Sequence, residues 1–142
     1  MMEKILIDTD VILDFFFDRK PFSEDACQIL SLCELHKIQG FVTPVIISNL
    51  YYLLRQTAKH EKVIENLQQL LTFIDVLVMD KNIVIQSLNS SFKDFEDALQ
   101  NYSAENNSEI KIIITRNIKD YKSSNLGILT PENFLKLKNI EL

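Results

Sequence analysis

The sequence predicts an α/β fold, a three-layer α/β/α domain built on a central parallel sheet of four to five strands. Three observations predict it. Short apolar runs rich in isoleucine and valine alternate along the chain with longer segments whose apolar residues recur at helical spacing. The runs are near-continuous rather than alternating, which marks strands buried on both faces of a parallel sheet. At 142 residues, 46% hydrophobic and 25% charged, the chain has the size and balance of a single folded domain over 1–142.

The elements follow in order. Lys4 to Asp8 is a buried strand ending in acids, and Val11 to Asp18, with Phe15, Phe16 and Phe17 together, is a short helix leaving it. Ser23 is positioned as the N-cap of a longer helix carrying Ala26, Ile29, Leu30, Cys33 and Leu35. Gly40 breaks that pattern, and Phe41 to Thr43 form a second short strand. Pro44 suits the first turn of a helix running to about Ala58. Lys62 to Leu71 is amphipathic, residues 73–79 are strand-like and 82–90 helical. Asp94 to Ala104 is a helix with Phe95, Ala98, Leu99 and Tyr102 inward. Ile110 to Thr115 is the fourth strand, Gly127 to Thr130 a fifth, and Pro131 starts a last helix ending near Leu137.

Composition narrows the function classes. Fifteen basic against 20 acidic residues give a formal charge of −5, which argues against a non-specific nucleic-acid binder and leaves room for a cation site. No apolar run reaches the roughly 18 residues a bilayer span needs, so no membrane segment is expected. No signal peptide is visible at the start, and a cytoplasmic location follows by default. Cys27 and Cys33, lacking a CxxC spacing or a nearby His, read as core or near-surface thiols. Two glycines in the whole chain exclude a Gly-rich phosphate loop.

In open parallel sheets, ligands bind beyond the carboxyl ends of the strands, where the strand order reverses. The acids gather at those ends. The first strand runs into Asp8 and Asp10, the third is expected to end in Asp80, and the fourth runs into Thr115, Arg116, Asn117 and Asp120. The helix entering the fourth strand opens with Asp94, Glu96 and Asp97. If the first and fourth strands are neighbours, Asp8, Asp97 and Asp120 converge, and carboxylates brought together are reconciled by a bound cation. Singly, each has a plainer role: Asp94 and Asp97 suit a helix N-terminus, and Asp10 and Asp120 suit turns. Lys119 and Arg55 read as solvated surface charges.

The segments Leu6 to Asp14 (LIDTDVILD), Asp94 to Gln100 (DFEDALQ), Ile114 to Tyr121 (ITRNIKDY) and Leu129 to Leu135 (LTPENFL) resemble a PIN domain. More narrowly, the chain is similar to the small bacterial PIN proteins allied to the VapC-type toxins of toxin–antitoxin pairs. The resemblance covers essentially the whole chain. It implies a ribonuclease that uses Mg²⁺ or Mn²⁺, with Asp8, Asp97 and Asp120 as catalytic and metal-binding acids. It also implies an RNA substrate and, as candidate partners, an antitoxin protein and a second copy of the chain. Phe15, Phe16 and Phe17, three rings that one helix face cannot bury alone, point the same way. Thr115 and Asn117 are expected to orient a ligand or water, and Arg116 to meet a substrate phosphate. One position departs from the commonest family pattern: Asn49 stands where a Glu is usual, leaving Asp10, Asp94 or Glu96 to supply the missing charge.

Three rival readings share some of these residues. Asp8-Thr9-Asp10 is also how a haloacid-dehalogenase-type phosphotransfer motif begins, but Val11 stands where that motif wants Gly. A receiver-like domain would use Asp80 as phosphoacceptor, but Gly127 to Pro131 lacks the Lys it needs. A catalytically silent PIN-like module binding RNA or protein is the reading that Asn49 sustains.

Overall fold

The computed structural model describes residues 2–141, with side chains described through residue 139. The elements run β1 (Glu3–Ile7), α1 (Thr9–Phe16), α2 (Ser23–Glu34), β2 (Ile38–Val42), α3 (Pro44–Leu54), α4 (His60–Leu70) and β3 (Ile74–Val76). They continue as α5 (Lys81–Leu88), α6 (Phe95–Glu105), β4 (Ile110–Ile114), a 3-10 turn over Ile118–Tyr121, β5 (Gly127–Leu129) and α7 (Pro131–Glu141). The five strands form one parallel sheet in the order β3-β2-β1-β4-β5.

Why β1 takes the centre follows from its residues. Successive strand side chains point to opposite faces, so a strand flanked by helices on both sides must be apolar at every position. Ile5, Leu6 and Ile7 are all fully buried, as are Ile113 and Ile114 of the neighbouring strand. The chain walks outward from β1 to β2 and β3, then returns to lay β4 on the other side of β1. The order therefore reverses at β1. Register brings the strand ends level: Ile7 pairs with Ile114, and Leu6 with Phe41. The residues that follow these strands, Asp8, Thr115 and Thr43, thus emerge side by side.

Several boundaries differ from those expected, each for a physical reason. Gly40 lies inside β2 rather than ending a pattern, and β2 begins at Ile38. A Cβ at Gly40 would stand 2.8 Å from Cys33 Sγ and Ile74 Cδ1 and 3.0 Å from Ile7 Cδ1, so this glycine admits α2 and both flanking strands at close range. Ser23 is the first residue of α2 rather than its N-cap; the Arg19 carbonyl already accepts from the N–H groups of Phe22 (2.9 Å) and Ser23 (2.7 Å), so the chain turns before it. Strand β3 is only three residues long, with Asp75 and Val76 exposed at the sheet edge. Asp80 therefore ends no strand. It caps α5, its Oδ1 accepting from Ile83 N at 3.0 Å, and it lies on the β3 side of the sheet, two strands from β1. That placement removes the receiver-like reading. Helix α3 stops at Leu54, where looser turns through Ala58 take over, and α7 continues to Glu141.

Of the three adjacent phenylalanines, Phe15 is 39% exposed, while Phe16 and Phe17 pack against the core. Cys33 is buried and Cys27 exposed, and neither forms a disulfide. Among the described residues no helix is long and apolar enough to cross a membrane.

Candidate metal centre

Asp8 follows the last residue of β1 and caps α1, its Oδ1 accepting from Thr9 N at 2.8 Å. Its Oδ2 accepts from Thr115 Oγ1 at 2.9 Å and from the Tyr121 hydroxyl at 3.3 Å. The Asp8 N–H donates to the Ile114 carbonyl at 3.0 Å, so the β1–β4 ladder itself sets the position of this carboxylate. Thr115, fully buried, also accepts from Asn117 N at 3.0 Å and so joins the loop after β4 to the acid. Burial raises the Asp8 carboxyl above its ordinary range and the Asp120 charge adds to this, against the three hydrogen bonds that favour the anion.

The second group of acids comes from α6. Asp94 caps the helix by accepting from Asp97 N at 3.0 Å, which places Asp97 in the first turn. Burial raises the Asp97 carboxyl to about 7, helped by the charges of Asp94, Asp8, Asp120 and Glu96. Asp97 thus feels both of its expected partners. It lines a cleft of about 480 Å³ with Asp8, Asp10, Asn49, Glu96, Gln100 and Asn117. On its other side it lines a hollow of about 300 Å³ with Asp94 and Asp120. Asp120 is exposed on the 3-10 turn.

Asn49 does not stand alone. Its side-chain amide donates to Glu96 Oε2 at 2.9 Å, so the residue without charge holds one that has it. Beneath them Thr43, the cap of α3, donates to Gln100 Oε1 at 2.9 Å and ties α3 to α6. Both residues are buried.

Arg116, expected to meet a substrate phosphate, is turned elsewhere. Its guanidinium grips Asp14 through two bonds, Nε to Oδ2 at 2.6 Å and Nη2 to Oδ1 at 3.0 Å, and lies 4.0 Å over the Phe22 ring. Only its backbone faces the acids, donating to Asp10 Oδ2 at 3.1 Å. The guanidinium that does line the acidic cleft belongs to Arg19, whose Nη1 is 3.6 Å from Asp14 Oδ1.

Sequence reasoning missed four of these residues: Asp14, Arg19, Tyr121 and Gln100. A signal existed for Asp14, an acid one helical turn after Asp10 among the buried residues Val11 to Leu13. Tyr121 is 1% exposed, and burial together with the Asp8 charge raises its hydroxyl, which keeps it a donor at any ordinary pH.

The donor set fits a divalent cation. Burial and the Asp8 charge raise the Asp10 carboxyl to about 6, and its Oδ1 is buried with no hydrogen-bond partner. An orphaned acceptor among mutually repelling carboxylates is what a hard cation satisfies. Among the described residues no three Asp, Glu, His or Cys side chains are gathered into a ready-made shell.

The PIN domain family model matches the chain over residues 4–119. The chain belongs to the PIN domain family. Among characterised relatives, this PIN domain is 25% identical to Ribonuclease VapC1 of Aquifex aeolicus (strain VF5), the match covering 96% of each chain. Among solved structures, it resembles a toxin-antitoxin complex from Klebsiella pneumoniae, at 22% identity and a TM-score of 0.67, with 89% of this chain and 97% of that one covered. It also resembles VapBC-1 from nontypeable Haemophilus influenzae, at 13% identity and a TM-score of 0.66, covering 91% and 98%. The PIN-like sheet expected from the sequence is the one observed.

Proposed function

We propose that this PIN domain is a metal-dependent endoribonuclease, the toxin of a toxin–antitoxin pair. The observation that carries the reading is the convergence of Asp8 and Asp97 at the strand-order reversal, each carboxyl raised by burial and by its acidic neighbours. The end-to-end likeness to a ribonuclease, Ribonuclease VapC1, supports RNA as the substrate.

Mg²⁺ or Mn²⁺ held there would supply Lewis acidity toward the phosphoryl oxygens and lower the pKa of an attacking water. Asp8 and Asp97 would hold the cation, with Asp120 and Asp10 adding charge. Thr115 and Tyr121 fix the Asp8 carboxylate. Asn117, lining the cleft, orients a water or ligand oxygen. Glu96, presented by Asn49, takes the place of the acid that Asn49 lacks. A silent PIN-like module is the reading Asn49 would otherwise sustain, and this hydrogen bond is the observation against it. Arg116 is a positioning residue that clamps α1 to the end of β4 through Asp14 and Asp10.

A cytoplasmic location and an antitoxin partner belong to the same reading. So does self-association through the face carrying Phe15, which sedimentation showing only monomer at high micromolar concentration would refute. The direct test is cleavage of total bacterial RNA by the purified chain with Mg²⁺, with Mn²⁺ and with EDTA, beside an Asp8→Asn/Asp97→Asn variant. Cleavage that needs the metal and both aspartates supports the proposal; cleavage that persists in EDTA or in the variant refutes it.

A further inference from the structure

The hollow on the far side of Asp97 is not purely acidic. Lys93, Lys119 and Lys122 line it together with Asp94, Asp97 and Asp120. Two of the lysines ride on or beside the 3-10 turn that carries Asp120, and Lys93 immediately precedes the cap of α6, so the elements that bring the acids also bring the cations. All three are exposed. Among the described residues none of the three is in an ion pair, whereas Lys20, Lys62 and Lys136 are matched with neighbouring carboxylates. Three unpaired lysines around one hollow are a notable concentration in a chain whose net charge is −5. A phosphodiester strand cut at Asp8 and Asp97 must lay its next phosphates somewhere, and an acidic surface repels them. Here three ammonium groups stand within the same hollow as Asp97, and Phe92 gives it an apolar floor, its ring edge-on to Tyr102 and Tyr121.

We infer that Lys93, Lys119 and Lys122 form a phosphate-binding cradle that seats the RNA backbone beside the bond to be cut. The inference rests on the nuclease reading for its substrate, but not on the metal. Lysine serves here as a point charge toward phosphate, so the cradle sets where the strand runs rather than which bases it carries.

The test is fluorescence anisotropy with a labelled twelve-nucleotide uridine RNA, in EDTA so that no metal-dependent cleavage intervenes. Wild type is compared with Lys93→Gln/Lys119→Gln/Lys122→Gln and with Lys37→Gln, an exposed lysine just before β2 at the amino ends of the strands. Each phosphate contact on a single strand contributes about 0.7 to the slope of log K against log salt. The triple variant is expected to lose at least about tenfold in affinity near 0.1 M salt and to flatten the slope by about 2, while Lys37→Gln changes neither. An unchanged slope in the triple variant, an equal effect from Lys37→Gln, or no RNA binding by wild type would each overturn the cradle. The nuclease reading stands or falls separately, on metal-dependent cleavage lost with Asp8 and Asp97.

Discussion

Replacing Arg116 by Met tests how the site is held together. Asp14 is fully buried within α1, and its carboxylate is satisfied by two bonds from Arg116, with Arg19 a more distant third donor at 3.6 Å. Methionine keeps much of the apolar contact with Phe22 and removes the charge. The carboxylate is then left in the interior with one long, half-exposed partner. Breaking a buried pair by removing one member costs roughly 3–5 kcal/mol. Because Arg19 is close enough to take up part of the charge, the lower end, about 3 kcal/mol, is expected. For a chain of this size that lowers the melting temperature by roughly 6–12 °C. Asp14→Asn/Arg116→Met, which removes both charges, should recover much of the loss, since no stranded anion remains. Thermal melts followed by circular dichroism give all the values. A single variant melting within about 3 °C of wild type, an effect near 1 kcal/mol, would refute the reasoning. If Arg116→Met instead left the melt untouched and weakened RNA binding, the guanidinium would be a substrate contact after all.

Two further outcomes follow from the same interior. Asp10 and Asp97 carry carboxyls raised to about 6 and about 7, above the 3.8 of the unfolded chain, so the folded protein binds more protons between those values. The metal-free chain should therefore hold their stabilising contribution below about pH 4 and lose it as pH rises through 6 to 7; Asp97→Asn should flatten that fall in EDTA melts, and Mn²⁺ should restore stability at pH 7.5. An EDTA melt no more pH-dependent in wild type than in Asp97→Asn would contradict this. Gly40→Ala should cost about 1–3 kcal/mol by overpacking against Cys33, Ile74 and Ile7, with urea unfolding as the measure and an unchanged midpoint as the refutation.

The parallel sheet was legible because strands buried on both faces must be apolar on both, and Ile5 to Ile7 and Ile112 to Ile114 are. Asp8 was legible for the same reason, since an apolar strand ending in an acid delivers that acid to the sheet edge. Asp97 was legible as one of a group that opened a helix at that edge. The partners of these acids were not. Arg116 and Asp14 are 102 positions apart, and nothing local says that a guanidinium beside Asp120 turns away from it toward α1. The link from Asn49 to Glu96 spans 47 positions and depends on how α3 and α6 cross, so the sequence marks a missing charge without showing its replacement. Gly40 misled because a glycine that ends a pattern and one that admits a close neighbour look alike until the neighbours are in place. Ser23 misled because the helix starts one residue earlier than expected: Phe22 is the cap, and its backbone carbonyl, not a Ser23 hydroxyl, accepts from Ala26 N.

The central claim is that these carboxylates gather a divalent cation, and calorimetric titration of Mn²⁺ into the metal-free chain at pH 7.5 tests it most directly. Wild type should bind, Glu96→Gln should bind more weakly, and Asp8→Asn/Asp97→Asn should not bind while retaining its fold by circular dichroism. A wild-type chain that takes up no Mn²⁺, or a double variant that binds it as well as wild type, would contradict the account.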